Sequence, residues 1–344
     1  MAEIEIFQEE FPSLESYWRS IILFGQNVAS YKFALAKSLL EIAPLGKNAL
    51  TLEDLSEPFS RHLCEHIKNF PKQVTSGSSK FLDTCKAFND GEISKDRLLA
   101  ATSQMGFNNV IDAFHVVNKK DIPMRFYQKD YGRRNKKIVL TDNIFKLQTM
   151  KYFDDFTNET ESRWNLVETA WELGISRNLL DVQYNEKDKI LFVNDDFRRK
   201  TITSARDALN GYQKGKCFYC FDDITVNGSE NLICDIDHFF PHTLQPMMKY
   251  INIDGVWNLV LSCQNCNRGG GGKFARVPAV KYLTRLHKRN EFLIKSHHPL
   301  RETIMAQTGA SQSERIAFLR ATDKNAVGLL IHRWGTVNKG MEVF

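Results

Sequence analysis

Residues 217–220 read Cys-Phe-Tyr-Cys and residues 263–266 read Cys-Gln-Asn-Cys, and these two turns decide the fold of the segment around them. One Cys-x-x-Cys turn supplies two thiolates to one side of a metal ion, so two turns complete a tetrahedral site. In a reducing compartment a disulfide between them would not persist, which favours a metal over a cystine. The spacing therefore predicts a structural Zn²⁺ ion on Cys217, Cys220, Cys263 and Cys266.

The segment between the two turns carries residues suited to phosphodiester chemistry. It contains Asp235-Ile-Asp237-His238-Phe-Phe-Pro241-His242, and Asn267-Arg268-Gly269 follows the second turn. His238 is the candidate general base, because an imidazole titrates near neutral pH and can take a proton from water. Asp237 and Asn267 offer oxygen ligands to one Mg²⁺ or Mn²⁺ ion acting as Lewis acid. Asp235 either orients a neighbour or lies outside the site.

In order and spacing, these motifs over roughly residues 212–278 resemble the HNH, or ββα-metal, nuclease superfamily. The ending Asn267-Arg268-Gly269, then Lys273 and Val277-Pro278, is similar to the ending of HNH domains in CRISPR effector nucleases, apart from three additional glycines. The resemblance implies a β-hairpin carrying Asp237 and His238, a loop carrying Asn258, and a helix that begins near Asn267. Asn258 would fix the hairpin to the loop, a role that needs an amide able to donate and accept.

The resemblance also implies a function. We expect a metal-dependent DNA endonuclease of the bacterial restriction or antiviral defence type, working with a protein partner such as an ATPase or sensor subunit. The alternative is a non-catalytic, zinc-stabilised DNA-binding or regulatory protein, although zinc alone would require only the cysteines. His242 stays open among an additional ligand, a phosphate contact and a loop histidine without a role.

The regions on either side of this module read as mainly helical, so the sequence predicts an α+β protein with three parts. Residues 1–200 form a helical region, 201–278 the nuclease module, and 279–344 a helical extension. Within the first region, about residues 92–147, two helices and a hairpin follow the order of a winged helix-turn-helix. The predicted hairpin arms are Met124–Tyr127 and Lys137–Leu140; an ordinary solvated hairpin is the other interpretation.

Charge is distributed unevenly along the chain. Residues 268–344 contain fourteen Lys and Arg against five acids, whereas residues 1–60 contain nine acids against four bases. A basic tail suits a polyanion such as DNA, although a basic solvated surface is equally consistent with it. The predicted nucleic-acid contacts are Arg268, Lys273, Arg276, Arg133 and Arg134.

The remaining expectations concern location and assembly. No stretch approaches the roughly 18 to 20 apolar residues of a membrane span, and the acidic start lacks the plan of a signal peptide, so we expect a soluble, cytoplasmic protein. One HNH site cuts one strand at a time, so double-strand cleavage would need a homo-oligomer or two encounters.

Overall fold

The computed structural model describes residues 13–24, 29–75, 79–117, 120–132, 136–172, 182–195, 198–227, 233–296 and 298–344. Helices and several small sheets make up these residues, which confirms the mixed α+β class. Residues 12–175 form one compact unit, the N-terminal unit, and residues 176–344 belong to a second, the C-terminal unit. None of the described helices is both long and apolar enough to span a bilayer.

The N-terminal unit is mainly helical. Its helices are α1 Leu14–Phe24, α2 Tyr31–Ile42, α3 Leu52–Asn69, α4 Lys80–Asn89, α5 Lys95–Ala101, α6 Val110–Ala113, α7 Asp142–Gln148 and α8 Phe153–Glu172. Its strands are β1 Ala49–Thr51, β2 Val116–Val117, β3 Lys120–Asp121, β4 Tyr127–Tyr131 and β5 Lys136–Leu140. Helix α3 begins at a capping box, in which Thr51 and Asp54 each satisfy the backbone N–H of the other.

The core of this unit is aromatic. Trp18 of α1 packs edge-on against Phe126, with ring centroids 4.9 Å apart, and Trp164 of α8 stacks on Phe33 of α2. Both tryptophans are buried, and Trp18 also meets Phe156 of α8 edge-on with centroids 6.5 Å apart, so α1 and α8 share one apolar interior.

The hairpin that the sequence predicts is formed by β4 and β5, and β1 joins β5 to give an antiparallel sheet in the order β1-β5-β4. The first strand begins at Tyr127, where the predicted arm ends. Lys129 is paired with Asp112 and Lys137 with Asp130, so these two cations are already compensated. Arg133 and Arg134 lie outside the described residues, and the winged-helix identity of this segment stays a prediction.

The C-terminal unit combines short strands with helices. Its strands are β6 Gln183–Asn185, β7 Ile190–Asp195, β8 Arg198–Ser204, β9 Asp235–His238, β10 Leu259–Ser262, β11 Val277–Pro278 and β12 Arg333–Trp334. Its helices are α9 Ala205–Gln213, α10 Gln264–Asn267, α11 Val280–Lys295, α12 Arg301–Thr308 and α13 Gln312–Leu330. Strands β6, β7 and β8 form an antiparallel sheet, β9 pairs with β10 antiparallel, and β11 pairs with β12 parallel.

The helices after residue 279 are tied to the β9–β10 hairpin by a buried arginine. Arg289 of α11 is 2% exposed, and its Nη2 donates to the carbonyl oxygens of Trp257 at 3.0 Å and Leu259 at 2.9 Å. A second buried arginine, Arg315 of α13, pairs with Glu291 of α11 at 2.5 Å. The predicted helical extension is therefore part of the same unit as the hairpin.

Candidate functional site

The four cysteines of the two turns lie together at one end of the β9–β10 hairpin. Their sulfur atoms all lie within 4.8 Å of one another, and the Sγ atoms of Cys220 and Cys263 are 3.8 Å apart. Zn–S bonds of about 2.3 Å give a tetrahedron whose edges are about 3.8 Å. The cluster, Cys217, Cys220, Cys263 and Cys266, therefore fits a structural zinc ion.

The cysteine cluster is joined to the hairpin by main-chain hydrogen bonds. The N–H of Phe218 donates to the carbonyl oxygen of Leu261 in β10 at 2.9 Å, and Cys263 immediately follows that strand and precedes α10. A metal ion in the cluster would thus fix the junction of β10 and α10 relative to the first turn.

Strand alternation places the two central predicted residues on opposite faces of β9. Side chains in a strand point alternately to the two sides, so Asp235 and Asp237 share one face and His238 lies on the other. The antiparallel register sets Asp237 opposite Val260 and His238 opposite Leu259.

Both carboxylate oxygens of Asp237 are engaged. Tyr219 OH donates to Oδ2 at 2.5 Å, and Lys273 Nζ lies 3.0 Å from Oδ1. On the same face, Asn267 Nδ2 donates to Asp235 Oδ2 at 3.0 Å. A cation bound by Asp237 and Asn267 would have to displace the Lys273 ammonium, so the predicted ligand pair does not fit Mg²⁺ or Mn²⁺ as arranged.

His238 lies on the opposite face and meets two residues of the following loop. Its Nε2 is 3.0 Å from Oδ1 of Asp254, and the same oxygen is 2.8 Å from Nδ1 of His242. The side chain of His238 is 7% exposed, and among the described residues its Nε2 has no hydrogen-bond partner. The ring of Tyr184, from β6, lies 5.9 Å from the imidazole centroid to centroid.

The two histidines beside Asp254 affect the pKa of its carboxyl. The His238 imidazole beside it lowers the pKa of the Asp254 carboxyl, partial burial opposes that effect, and His242 adds to it. The carboxyl is therefore ionised at neutral pH and offers lone pairs to a cation or a proton donor.

Asn258 ties the chain after His238 to the loop that carries Asp254. Its Nδ2 donates to the carbonyl oxygens of Phe240 at 2.9 Å and Ile253 at 2.8 Å, and its Oδ1 accepts from the N–H of Phe240 at 2.8 Å. The side chain is fully buried. This is the bracing arrangement expected of an amide that both donates and accepts.

The predicted nucleic-acid contacts fall into different environments. Arg268 is exposed and pairs with Asp235 at 2.9 Å, and Arg276 donates to the carbonyl oxygens of Gly272 and, at 3.3 Å, Lys273. Lys273 is buried against Asp237, so the expectation that it contacts phosphate has to be corrected.

The glycine run explains how Lys273 reaches the interior. A Cβ at Gly269 would lie 2.8 Å from the backbone of Asn265, and one at Gly272 would lie 2.8 Å from the carbonyl oxygen of Asn267. The turn therefore passes close to α10, and the N–H of Lys273 then donates to the carbonyl oxygen of Cys266 at 2.7 Å. The close approaches at Gly269 and Gly272 bring this lysine inward.

Sequence reasoning missed Asp254 and Tyr219 as members of the site. Asp254 lies in an irregular loop with no ligand-type spacing to His238, so no local motif identifies it. Tyr219 stands inside the first cysteine turn, where it reads as ordinary packing. One available signal was strand alternation, which separates Asp237 from His238.

Comparison with protein-family models, curated proteins and solved structures found no match. The assignment of a function therefore depends on the residues and their geometry.

Proposed function

We propose that the protein is a metal-dependent endonuclease that hydrolyses phosphodiester bonds of DNA. The observation that carries the proposal is the buried imidazole of His238, whose Nε2 lies 3.0 Å from Oδ1 of Asp254 but forms no hydrogen bond among the described residues. It stands at the end of a two-stranded hairpin that is followed by a short helix and bounded by four clustered cysteines. The order of the strand pair agrees with the ββα-metal resemblance of the sequence, whereas the helix expected to begin near Asn267 is a short helix, Gln264–Asn267, that ends there.

Hydrolysis of a phosphodiester requires an activated water and stabilisation of the charge that develops on the phosphate oxygens. The His238 lone pair can serve activation in two ways: it accepts a proton from water as a general base, or it binds a cation. Both uses need a neutral imidazole whose nitrogen is not taken by a protein donor. A bound divalent cation supplies charge stabilisation and lowers the pKa of water.

The surrounding residues hold this imidazole in place. Asn258 fixes the chain on one side of it through three hydrogen bonds, and the tilted ring of Tyr184 lies 5.9 Å from it, centroid to centroid. Preorganisation of this kind is what a catalytic group needs from its neighbours. The fourteen Lys and Arg of residues 268–344, against five acids, give this part of the chain a net positive charge that suits a polyanion.

The test is conversion of supercoiled plasmid to open-circular or linear form in the presence of Mg²⁺ or Mn²⁺. We expect wild-type protein to cleave and His238→Ala to lose cleavage while keeping its melting temperature within a few degrees. His332→Ala, which removes an exposed histidine of the same unit, is the matched control and should cleave like wild type.

Cleavage by His238→Ala at the wild-type rate would show that His238 has no role in the reaction. If wild-type protein cleaves neither DNA nor RNA yet binds DNA, the proposal falls and the alternative of a zinc-stabilised binding protein takes its place.

A further inference from the structure

We infer that His238, His242 and Asp254 form a binding site for one divalent transition-metal ion, separate from the cysteine cluster. The inference deepens the proposed function, because it assigns the metal cofactor to ligands other than Asp237 and Asn267. It rests on the proposed function only for the catalytic use of the ion. Ion binding itself does not depend on any nuclease activity.

Three ligand atoms from separate segments converge at this place. They are Nε2 of His238 at the end of β9, Nδ1 of His242 in the 3-10 turn His242–Leu244, and Oδ1 of Asp254 in the loop before Asn258. All three lie within 4.8 Å of one another. No single helix or strand carries all three residues, so they come together only when the loop after β9 is folded.

The loop is held by side-chain amides on both sides of the three ligands. Asn258 binds the backbone at Phe240 and Ile253, and Gln245 binds it at Ile251 and Ile253 with distances of 2.9 and 2.8 Å. Ile253 is the residue directly before Asp254. The carboxylate therefore has a fixed anchor, as a preorganised ligand requires.

The second observation is the unsatisfied nitrogen of His238. Nε2 is buried and 3.0 Å from a carboxylate oxygen, yet no hydrogen bond forms among the described residues because the N–H direction is unsuitable. Buried polar atoms in proteins almost always have a partner. An imidazole nitrogen whose in-plane direction passes beside a carboxylate oxygen 3.0 Å away has the arrangement of two ligands of one cation.

The distances and donor types indicate the kind of ion. Metal–ligand bonds of about 2.1 Å place neighbouring ligands of an octahedron about 3.0 Å apart. The two N···O separations here are 3.0 and 2.8 Å. Two imidazoles and one carboxylate suit Mn²⁺, Fe²⁺, Co²⁺, Ni²⁺ or Zn²⁺, whereas Mg²⁺ prefers oxygen ligands alone.

The site is open on one side. The side chains of His242 and Asp254 are 49% and 36% exposed, so water and a substrate oxygen have access to the remaining coordination positions. On the other face of β9, Lys273 already compensates Asp237. With Nε2 bound to the ion, His238 acts as a ligand and is not the proton acceptor.

The experiment is a titration of the full-length, zinc-loaded protein with Mn²⁺, followed by the EPR signal of free Mn²⁺. Mn²⁺ is the weakest binder of the first-row series and thiolates prefer zinc, so the cysteine cluster keeps its metal. We expect wild type and the control His332→Ala to bind one Mn²⁺ ion. His242→Gln and Asp254→Asn should each weaken binding by about tenfold or more.

Asp237→Asn separates this site from the pair predicted by the sequence. We expect it to keep Mn²⁺ affinity within about threefold of wild type. If Asp237→Asn abolishes binding and Asp254→Asn leaves it unchanged, the inference is wrong and the ion belongs to the other face of β9. If wild type binds no Mn²⁺, the inference is also wrong.

The two proposals fail in different ways. One Mn²⁺ ion bound through Asp254, with no cleavage of any nucleic acid, would leave this inference standing and overturn the nuclease. If the protein cleaves DNA and its Mn²⁺ affinity depends on Asp237 alone, the nuclease proposal stands and this inference is wrong. Loss of paramagnetic broadening of the His238 imidazole signals in Asp254→Asn would confirm the place of the ion by NMR.

Discussion

Lys273 Nζ lies 3.0 Å from Oδ1 of Asp237, and the two side chains are 1% and 7% exposed. This buried ion pair joins the turn after α10 to the centre of β9. Lys273, which the sequence predicts as a phosphate contact, thus neutralises Asp237, which the sequence predicts as a metal ligand. The pair occupies one face of β9, and the proposed chemistry uses His238, whose side chain lies on the other face.

The first prediction concerns this pair. Lys273→Met removes the cation and leaves a buried carboxylate without compensation, so we expect the free energy of unfolding to fall by about 3–5 kcal/mol. Urea denaturation measures it, with Lys288→Met on the exposed side of α11 as the matched control. Equal stability of the two variants would contradict a structural ion pair.

The second prediction concerns the cysteine cluster. Cys217→Ser should unfold the C-terminal unit, because zinc binding contributes about 10–16 kcal/mol in small zinc modules and domains are stable by only about 5–15 kcal/mol. Hydrogen exchange should show lost protection in peptides from residues 182–344 and retained protection in residues 13–172. The control is Cys234→Ser, a cysteine outside the cluster, which should keep its zinc. Full zinc content and unchanged exchange in Cys217→Ser would refute a structural zinc ion.

The third prediction concerns Asn258. Asn258→Ala leaves three backbone groups of Phe240 and Ile253 without their partner. We therefore expect the free energy of unfolding, measured by urea denaturation, to fall by about 3 kcal/mol or more. Because the loop that carries Asp254 is released, Mn²⁺ affinity should fall as well. Asn325→Ala, on the exposed side of α13, should change neither quantity. Unchanged Mn²⁺ affinity in a destabilised Asn258→Ala would separate the brace from the ion site.

The fourth prediction is a pH dependence in the N-terminal unit. His66 Nδ1 lies 2.9 Å from Glu168 and its Nε2 3.1 Å from Glu161. Burial by itself lowers the pKa of His66, but the two carboxylates outweigh it and raise the pKa from 6.5 to about 9. A raised pKa in the folded state gives stability that is fully present below about pH 6.5 and is lost as the pH rises through about 9.

Thermal melts of wild type and His66→Gln between about pH 6 and 9.5 measure the contribution of the His66 ion pairs to stability. The gap between their melting temperatures should narrow steadily as the pH rises through this window. A gap that stays constant would show that His66 has an ordinary pKa in the folded protein.

The features that the sequence predicts well are local. The cysteine cluster follows from two Cys-x-x-Cys turns because each turn places its own two ligands. The hairpin predicted with arms Met124–Tyr127 and Lys137–Leu140 is present as β4 and β5, although its first strand starts at Tyr127, where the predicted arm ends. The bracing of the hairpin by Asn258 agrees with what the resemblance implies, while the HNH identity stays a prediction.

The features that the sequence does not predict depend on contacts between distant segments. The Asp237–Lys273 pair forms because a glycine turn folds back on α10, and no residue pattern gives the direction of that turn. Asp254 joins His238 only through the path of an irregular loop. The sequence predicts that Asp237 as metal ligand and His238 as general base serve one site, whereas a strand sends their side chains to opposite faces.

The most direct test of the account is plasmid nicking measured on the samples of the Mn²⁺ titration. The account predicts that wild-type protein nicks supercoiled DNA in proportion to the occupancy of one Mn²⁺ site. It predicts that His238→Ala, still folded and zinc-loaded, neither binds Mn²⁺ at this site nor nicks DNA. Full Mn²⁺ occupancy without nicking, or equal nicking by His238→Ala, would contradict it.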